Sequence, residues 1–152
     1  MRAILTVVSA VVIIRLMNTT PVKTNLDEHL LDAIMQVESG GGKYLLSPAG
    51  AQGPFQFMPA TARAYGVNPT DDNWDDDRDG ARQLLLDEWQ ALGSLELALA
   101  AYNTGRPNVL RAIKKAKSKE WGPVSKFLAL ETRQYVPKVL REYESRKGVR
   151  NV

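Results

Sequence analysis

Leu30-Leu31-Asp32-Ala33-Ile34-Met35-Gln36-Val37-Glu38-Ser39-Gly40-Gly41-Gly42 is the stretch from which the rest of the chain is read. Leu30, Leu31, Ile34 and Val37 recur at helical spacing and form one apolar stripe. Asn25 is placed to cap this helix, with Asp27 and Glu28 in its first turn, and the three glycines stop it. Glu38 lies four residues after Ile34 and seven after Leu31, so it falls on the buried stripe in the last turn. Burial disfavours a charged carboxylate, and the negative end of the helix dipole acts the same way. Both raise its pKa toward the range in which a carboxyl donates a proton near neutral pH. A glutamate held by a structural hydrogen bond is the plain alternative at this position.

The composition narrows the chemistry. The 152 residues suffice for one domain with a real core. Apolar residues make up 44% and charged ones 24%, as in ordinary globular proteins. There is no cysteine, which excludes thiol nucleophiles, disulfides and thiolate-held metals. With His29 the single histidine, a Ser-His-Asp triad or a multi-histidine zinc site has no basis. Carboxylates, hydroxyls and amides must do the work, and no cofactor is expected. From Arg106 onward there are 13 Lys or Arg against 4 Glu, whereas the first 105 residues are net acidic. Such a basic half attracts a polyanion or is simply a solvated surface; no nucleic-acid-binding motif accompanies it.

Residues 1–17 form a separate segment. Met1-Arg2 gives a positive start, and Ala3 to Ile14 is apolar apart from Thr6 and Ser9. That run is shorter than the roughly 20 residues of a comfortable membrane span, and Arg15 closes it. It is expected to be a short hydrophobic helix serving as an export signal or membrane anchor, with a buried core helix as the alternative. Residues 18–24 resemble a linker, which leaves 25–152 as the folded domain. Further helices are expected from Pro59 to Gly66, Asp79 to Leu92, Leu95 to Asn103, Pro107 to Lys117 and Glu131 to about Lys147. No sustained alternation points to a sheet, so the fold class is mainly α.

Two further blocks carry polar groups among apolar ones. Gly50, Gly53 and Pro54 make a loop in which backbone can approach another chain closely. Gln56 stands there among Phe55, Phe57 and Met58. Apolar walls with an amide between them suit a sugar ring, which has apolar faces and polar rims. Tyr102 and Asn103 likewise end the apolar run from Leu95. The acidic run from Asp71 to Gly80 is expected to be a solvated loop that caps the next helix. Asp75, Asp77, Asp79 and Gly80 match the opening of a calcium loop, but Leu86 stands where the bidentate Glu belongs, so no metal site is expected.

Four blocks, taken in order, resemble the lytic transglycosylase catalytic domain of the soluble-transglycosylase, goose-lysozyme-like type. They are Glu38-Ser39, the run from Ser47 to Ala62, Ala101-Tyr102-Asn103-Thr104-Gly105, and Glu131-Thr132-Arg133-Gln134-Tyr135-Val136. The resemblance covers roughly residues 26 to 143 and implies a lysozyme-like helical domain with a cleft. It implies Glu38 as the single catalytic acid and base, and Ser47, Gln56 and Met58 as cleft residues around the substrate. Tyr102 matches the tyrosine near that glutamate, with Asn103 beside it. Glu131 matches a second acidic residue that binds glycan without acting as nucleophile. Pro54-Phe55 departs from the Leu-Met often found in the family.

The reaction so implied breaks the β-1,4 bond between N-acetylmuramic acid and N-acetylglucosamine in peptidoglycan and closes a 1,6-anhydro ring. Two alternatives are a lysozyme that uses water and a non-catalytic wall-binding module; a small membrane-anchored structural protein is a third. The implied setting is the cell envelope, where the enzyme opens the wall locally for a secretion or conjugation apparatus, or for a phage at entry or release. In the phage case it is virion-associated, and residues 3–17 are the candidate membrane contact.

Overall fold

The computed structural model describes residues 26–148; the apolar start, the linker and Asn25 lie outside the described residues. Among the described residues seven helices follow one another: α1 (Glu28–Ser39), α2 (Pro59–Tyr65), α3 (Trp74–Leu92), α4 (Leu95–Thr104), α5 (Arg106–Ala116), α6 (Trp121–Ser125) and α7 (Leu130–Gly148). The mainly α expectation is met, and no described helix is long and apolar enough to cross a membrane.

The core forms around α4. Leu97, Ala98, Leu99, Ala100 and Ala101 are all buried, so this helix is apolar around most of its circumference. Helices α3, α5 and α7 pack against it, and α7 also lies along α1. From α1, Leu30, Leu31, Ala33 and Ile34 enter the core, and Val136 and Val139 of α7 meet it from another side. Each fully buried Leu or Ile contributes about 1.5–3 kcal/mol. The result fixes α1 and α7, which carry the two cleft acids, on one scaffold.

Helix ends follow local chemistry, with two departures from expectation. The cap of α1 is Asp27, whose side chain accepts from the His29 amide at 3.0 Å. Its other carboxylate oxygen accepts from the Tyr143 hydroxyl at 3.0 Å, tying the start of α1 to α7. Helix α3 begins at Trp74, so Asp75 to Asp79 are helical and do not form a loop. Asp75, Asp76 and Asp77 occupy its first turn, where the helix dipole favours negative charge. That placement also removes the calcium-loop resemblance, because Asp77 turns inward while Asp75 and Asp79 face solvent. The short helix α6 was not anticipated; it spans five residues, too few to give a periodic pattern.

Candidate active site

Glu38 is the penultimate residue of α1, and its neighbour Ser39 holds the turn that follows. The Ser39 hydroxyl donates to the Met35 carbonyl at 3.1 Å and accepts from the Gly42 amide at 2.8 Å. The Ser39 carbonyl accepts from the amides of Lys43 and Tyr44, each at 2.9 Å. Gly42 lies against the Trp74 ring: a Cβ there would come within 2.4 Å of it. The chain therefore leaves α1 in one defined direction, with Glu38 turned into a cleft.

That cleft has a volume of about 620 Å³ and is lined by α1, the 47–58 loop, α4 and α7. All seven residues singled out from the sequence line it: Glu38, Ser47, Gln56, Met58, Tyr102, Asn103 and Glu131. Residues 9 to 93 positions away along the chain are thus brought together around the Glu38 carboxyl.

The 47–58 loop is an interlocked set of turns. The Ser47 amide donates to the Ala51 carbonyl at 2.9 Å, and the Ser47 hydroxyl accepts from the Ala51 amide at 2.9 Å. Gln52 pairs with Phe57 through both backbone groups. Gln56 has φ of 52°, a left-handed conformation uncommon outside glycine. Its Nε2 donates to the carbonyls of Gly53 at 2.8 Å and Tyr44 at 3.2 Å. The amide hydrogens of Gln56 thus hold the loop, where the sequence reading offered them to a ligand. Phe55 and Phe57 are buried beneath, while Met58 stays exposed on the rim.

Tyr102 joins this loop to α4, its hydroxyl donating to the Phe55 carbonyl at 3.1 Å. Asn103 joins α4 to α7. Its amide oxygen accepts from Thr132 at 2.7 Å, and its nitrogen donates to Glu131 at 3.4 Å. Glu131 is exposed at the cleft edge, whereas Thr132 is buried.

The electrostatics single out Glu38. Burial raises its pKa to about 7; Glu131 pushes the same way, and the Tyr135 hydroxyl and Lys138 pull it partly back. Tyr135 is buried opposite Glu38, and its hydroxyl has no partner in ordinary hydrogen-bond geometry. The phenols of Tyr102 and Tyr135 are both held well above their usual pKa, first by burial and then by the Glu38 charge. Both therefore stay protonated at any pH at which Glu38 titrates.

Thr61, Gln134, Tyr135 and Lys138 also line the cleft and were not picked out from the sequence. The signal for three of them was available: from Glu131, positions 134, 135 and 138 fall on the same helical face. Asp77 is a further buried acid. It lies under Gly53 with both oxygens unpartnered, and burial, then Asp71 and Asp76, raise its pKa to about 6. Among the described residues no group of three His, Asp or Glu is arranged to hold a metal.

Residues 15–122 match the family model described as the transglycosylase SLT domain. The chain is 40% identical over 113 residues to membrane-bound lytic murein transglycosylase D of Escherichia coli strain K12, covering 68% of this chain and 25% of that protein. The protein of that name from E. coli O6:H1 gives the same figures. The transglycosylase of Enterobacteria phage PRD1 is 38% identical over 85 residues, 53% of this chain and 30% of that protein. The match thus spans less than a third of each of these relatives.

Proposed function

Because the chain belongs to the transglycosylase SLT family, we propose that it is a peptidoglycan lytic transglycosylase with Glu38 as its one acid and base. The observation that carries this reading is the Glu38 carboxyl itself: in a cleft, largely desolvated, with a pKa near 7. Such a group is protonated often enough to give a proton and acidic enough to take one back. Glu131, the other cleft carboxylate, is exposed and tied to Asn103, which suits holding a glycan.

Glu38 protonates the oxygen that links N-acetylmuramic acid to N-acetylglucosamine, and the C1–O bond breaks with positive charge developing on the muramyl ring. The resulting carboxylate takes the proton of the C6 hydroxyl as that oxygen bonds to C1. Glu38 ends protonated, the muramyl ring ends as a 1,6-anhydro sugar, and no water enters. A single carboxyl serves both steps, so the paired carboxylates of ordinary glycosidases are not needed. Tyr102 and Asn103 act by fixing the loop and Glu131, while Ser47, Gln56 and Met58 shape the wall for the sugar rings.

The cell envelope is the place of action, with residues 1–17 as export signal or anchor, residues 18–24 as linker and 25–152 as the catalytic domain. The relatives' names, one membrane-bound and one from a phage, agree with local wall opening in either setting. The test is turnover of purified peptidoglycan by Glu38→Gln and Glu131→Gln. On this reading the first is inactive and the second loses mainly affinity. Equal loss of turnover in both, with unchanged affinity, would instead describe a two-carboxylate hydrolase.

A further inference from the structure

Three charged side chains line the cleft: Glu38, Glu131 and Lys138. The first two have roles in the reaction proposed above; the lysine has none. It lies on α7, seven residues after Glu131, so on an α-helix the two sit on one face about 10 Å apart along the axis. Gln134 and Tyr135 occupy that face between them. Val136 and Val139 beside the lysine are fully buried, which fixes its backbone against the core. The side chain itself is exposed and has no carboxylate within 4 Å among the described residues.

A cation in a cleft has a physical cost when it stands near an acid that must stay protonated. Lys138 is one of the two groups that lower the Glu38 pKa; Tyr135, beside it on α7, is the other, while Glu131 on α7 raises it and Tyr102 on α4 faces it as a neutral phenol. Lys138 makes no ion pair among the described residues. What remains is an anionic group brought by the ligand. On the transglycosylase reading, on which this inference rests, the sugar rings are neutral. The negative charge sits on the muramyl substituent: a carboxylate of the stem peptide, or the lactyl carboxylate where the peptide has been removed.

We propose that Lys138 is a specificity-determining residue that binds the carboxylate carried by the muramyl substituent and so sets the register of the strand over Glu38. The ion pair forms on the α7 face of the cleft, at the end away from Glu131. Pairing offsets the lysine's pull on Glu38 and keeps the acid protonated when a correctly placed substrate is bound.

The experiment is binding of fluorescent glycan strands to the full-length chain carrying Glu38→Gln, with and without Lys138→Met or Lys138→Arg. Three strand preparations are compared: intact stems, stems with their carboxylates amidated, and strands stripped of peptide. The expected result is a roughly threefold to tenfold preference for strands with a free carboxylate, retained by Lys138→Arg and abolished by Lys138→Met. Dependence on Lys138 with intact stems alone assigns the stem carboxylate; dependence with stripped strands assigns the lactyl group. Equal affinity of the Lys138→Met protein and its parent for all three strands overturns the proposal. Cleavage by the chain with Glu38 intact is measured in parallel. Absence of cleavage counts against the transglycosylase reading, whereas the binding comparison decides the lysine by itself. In the active protein, Lys138→Met moves the falling limb of the pH profile upward, a shift that a purely structural lysine does not produce.

Discussion

At the scale of single residues the proposed chemistry depends on where Glu38 sits and what surrounds it. Its pKa of about 7 has burial as the leading cause, so kcat/KM is expected to hold on the acid side and to fall tenfold per pH unit above about pH 7. A pH profile on soluble glycan checks this, and a falling limb near pH 5 would contradict it. The same burial has a consequence for folding. The folded state keeps the Glu38 proton between pH 4.5 and about 7, where the unfolded chain has lost it, so stability falls as pH rises through that window. Glu38→Gln is therefore expected to match wild type in urea unfolding below pH 4.5. Above pH 7 it should be more stable, by up to about 3 kcal/mol. Turnover in the same variant should drop by about 10² to 10⁴. Its position on the apolar stripe in the last helical turn made Glu38 a candidate from sequence, and the ordered blocks resembling a known family singled it out. Tyr135 and Lys138 were missed because the periodicity of α7 does not by itself show which face meets the cleft; their spacing becomes a signal only when counted from Glu131.

At the scale of elements, the cleft depends on the 47–58 loop, and the loop depends on Gly53. Its φ is +77°, and a Cβ would lie 2.7 Å from the Pro69 side chain and 3.0 Å from the Pro69 carbonyl oxygen. Gly66 has a similar φ of +69° but open space around the missing side chain. Gly66→Ala is expected to cost about 1 kcal/mol for the backbone alone, and Gly53→Ala at least 1 kcal/mol more, with a raised KM. Urea unfolding of the two variants measures the difference; equal costs would mean that the loop yields easily at Pro69. The helices themselves were largely legible. Pro59 to Gly66 and Leu95 to Asn103 had sharp start and stop signals, and their observed bounds differ by a residue at most. The start of α3 was misplaced because Asp and Asn runs favour loops on composition, while three acids in a first turn favour a helix through its dipole. The loop's interior was not legible at all: a left-handed Gln56 held by two carbonyls follows from tertiary packing, not from its residue type.

At the scale of the whole molecule, two properties matter. The first is the shared core. Helix α4 is packed by α3, α5 and α7, so removing bulk from it loosens its contacts with all three, including the α7 wall of the cleft. Leu99→Ala is expected to cost about 2–5 kcal/mol. The second is charge. Arg111, Lys114, Lys115, Lys117 and Lys119 are exposed on α5 and just after it, and none forms an ion pair among the described residues. Reversing these charges is expected to weaken binding to purified sacculi at low salt and to matter little at high salt. Unchanged low-salt binding would make the basic segment a merely solvated surface.

The measurement that bears most directly on the central claim is mass spectrometry of the fragments released from purified sacculi by the full chain, with Glu38→Gln as control. The account predicts muropeptides one water lighter than hydrolysis products, closed as 1,6-anhydro sugars, and none from the control. Fragments with reducible ends would contradict it, because a water would then have entered the bond that Glu38 is proposed to open by itself.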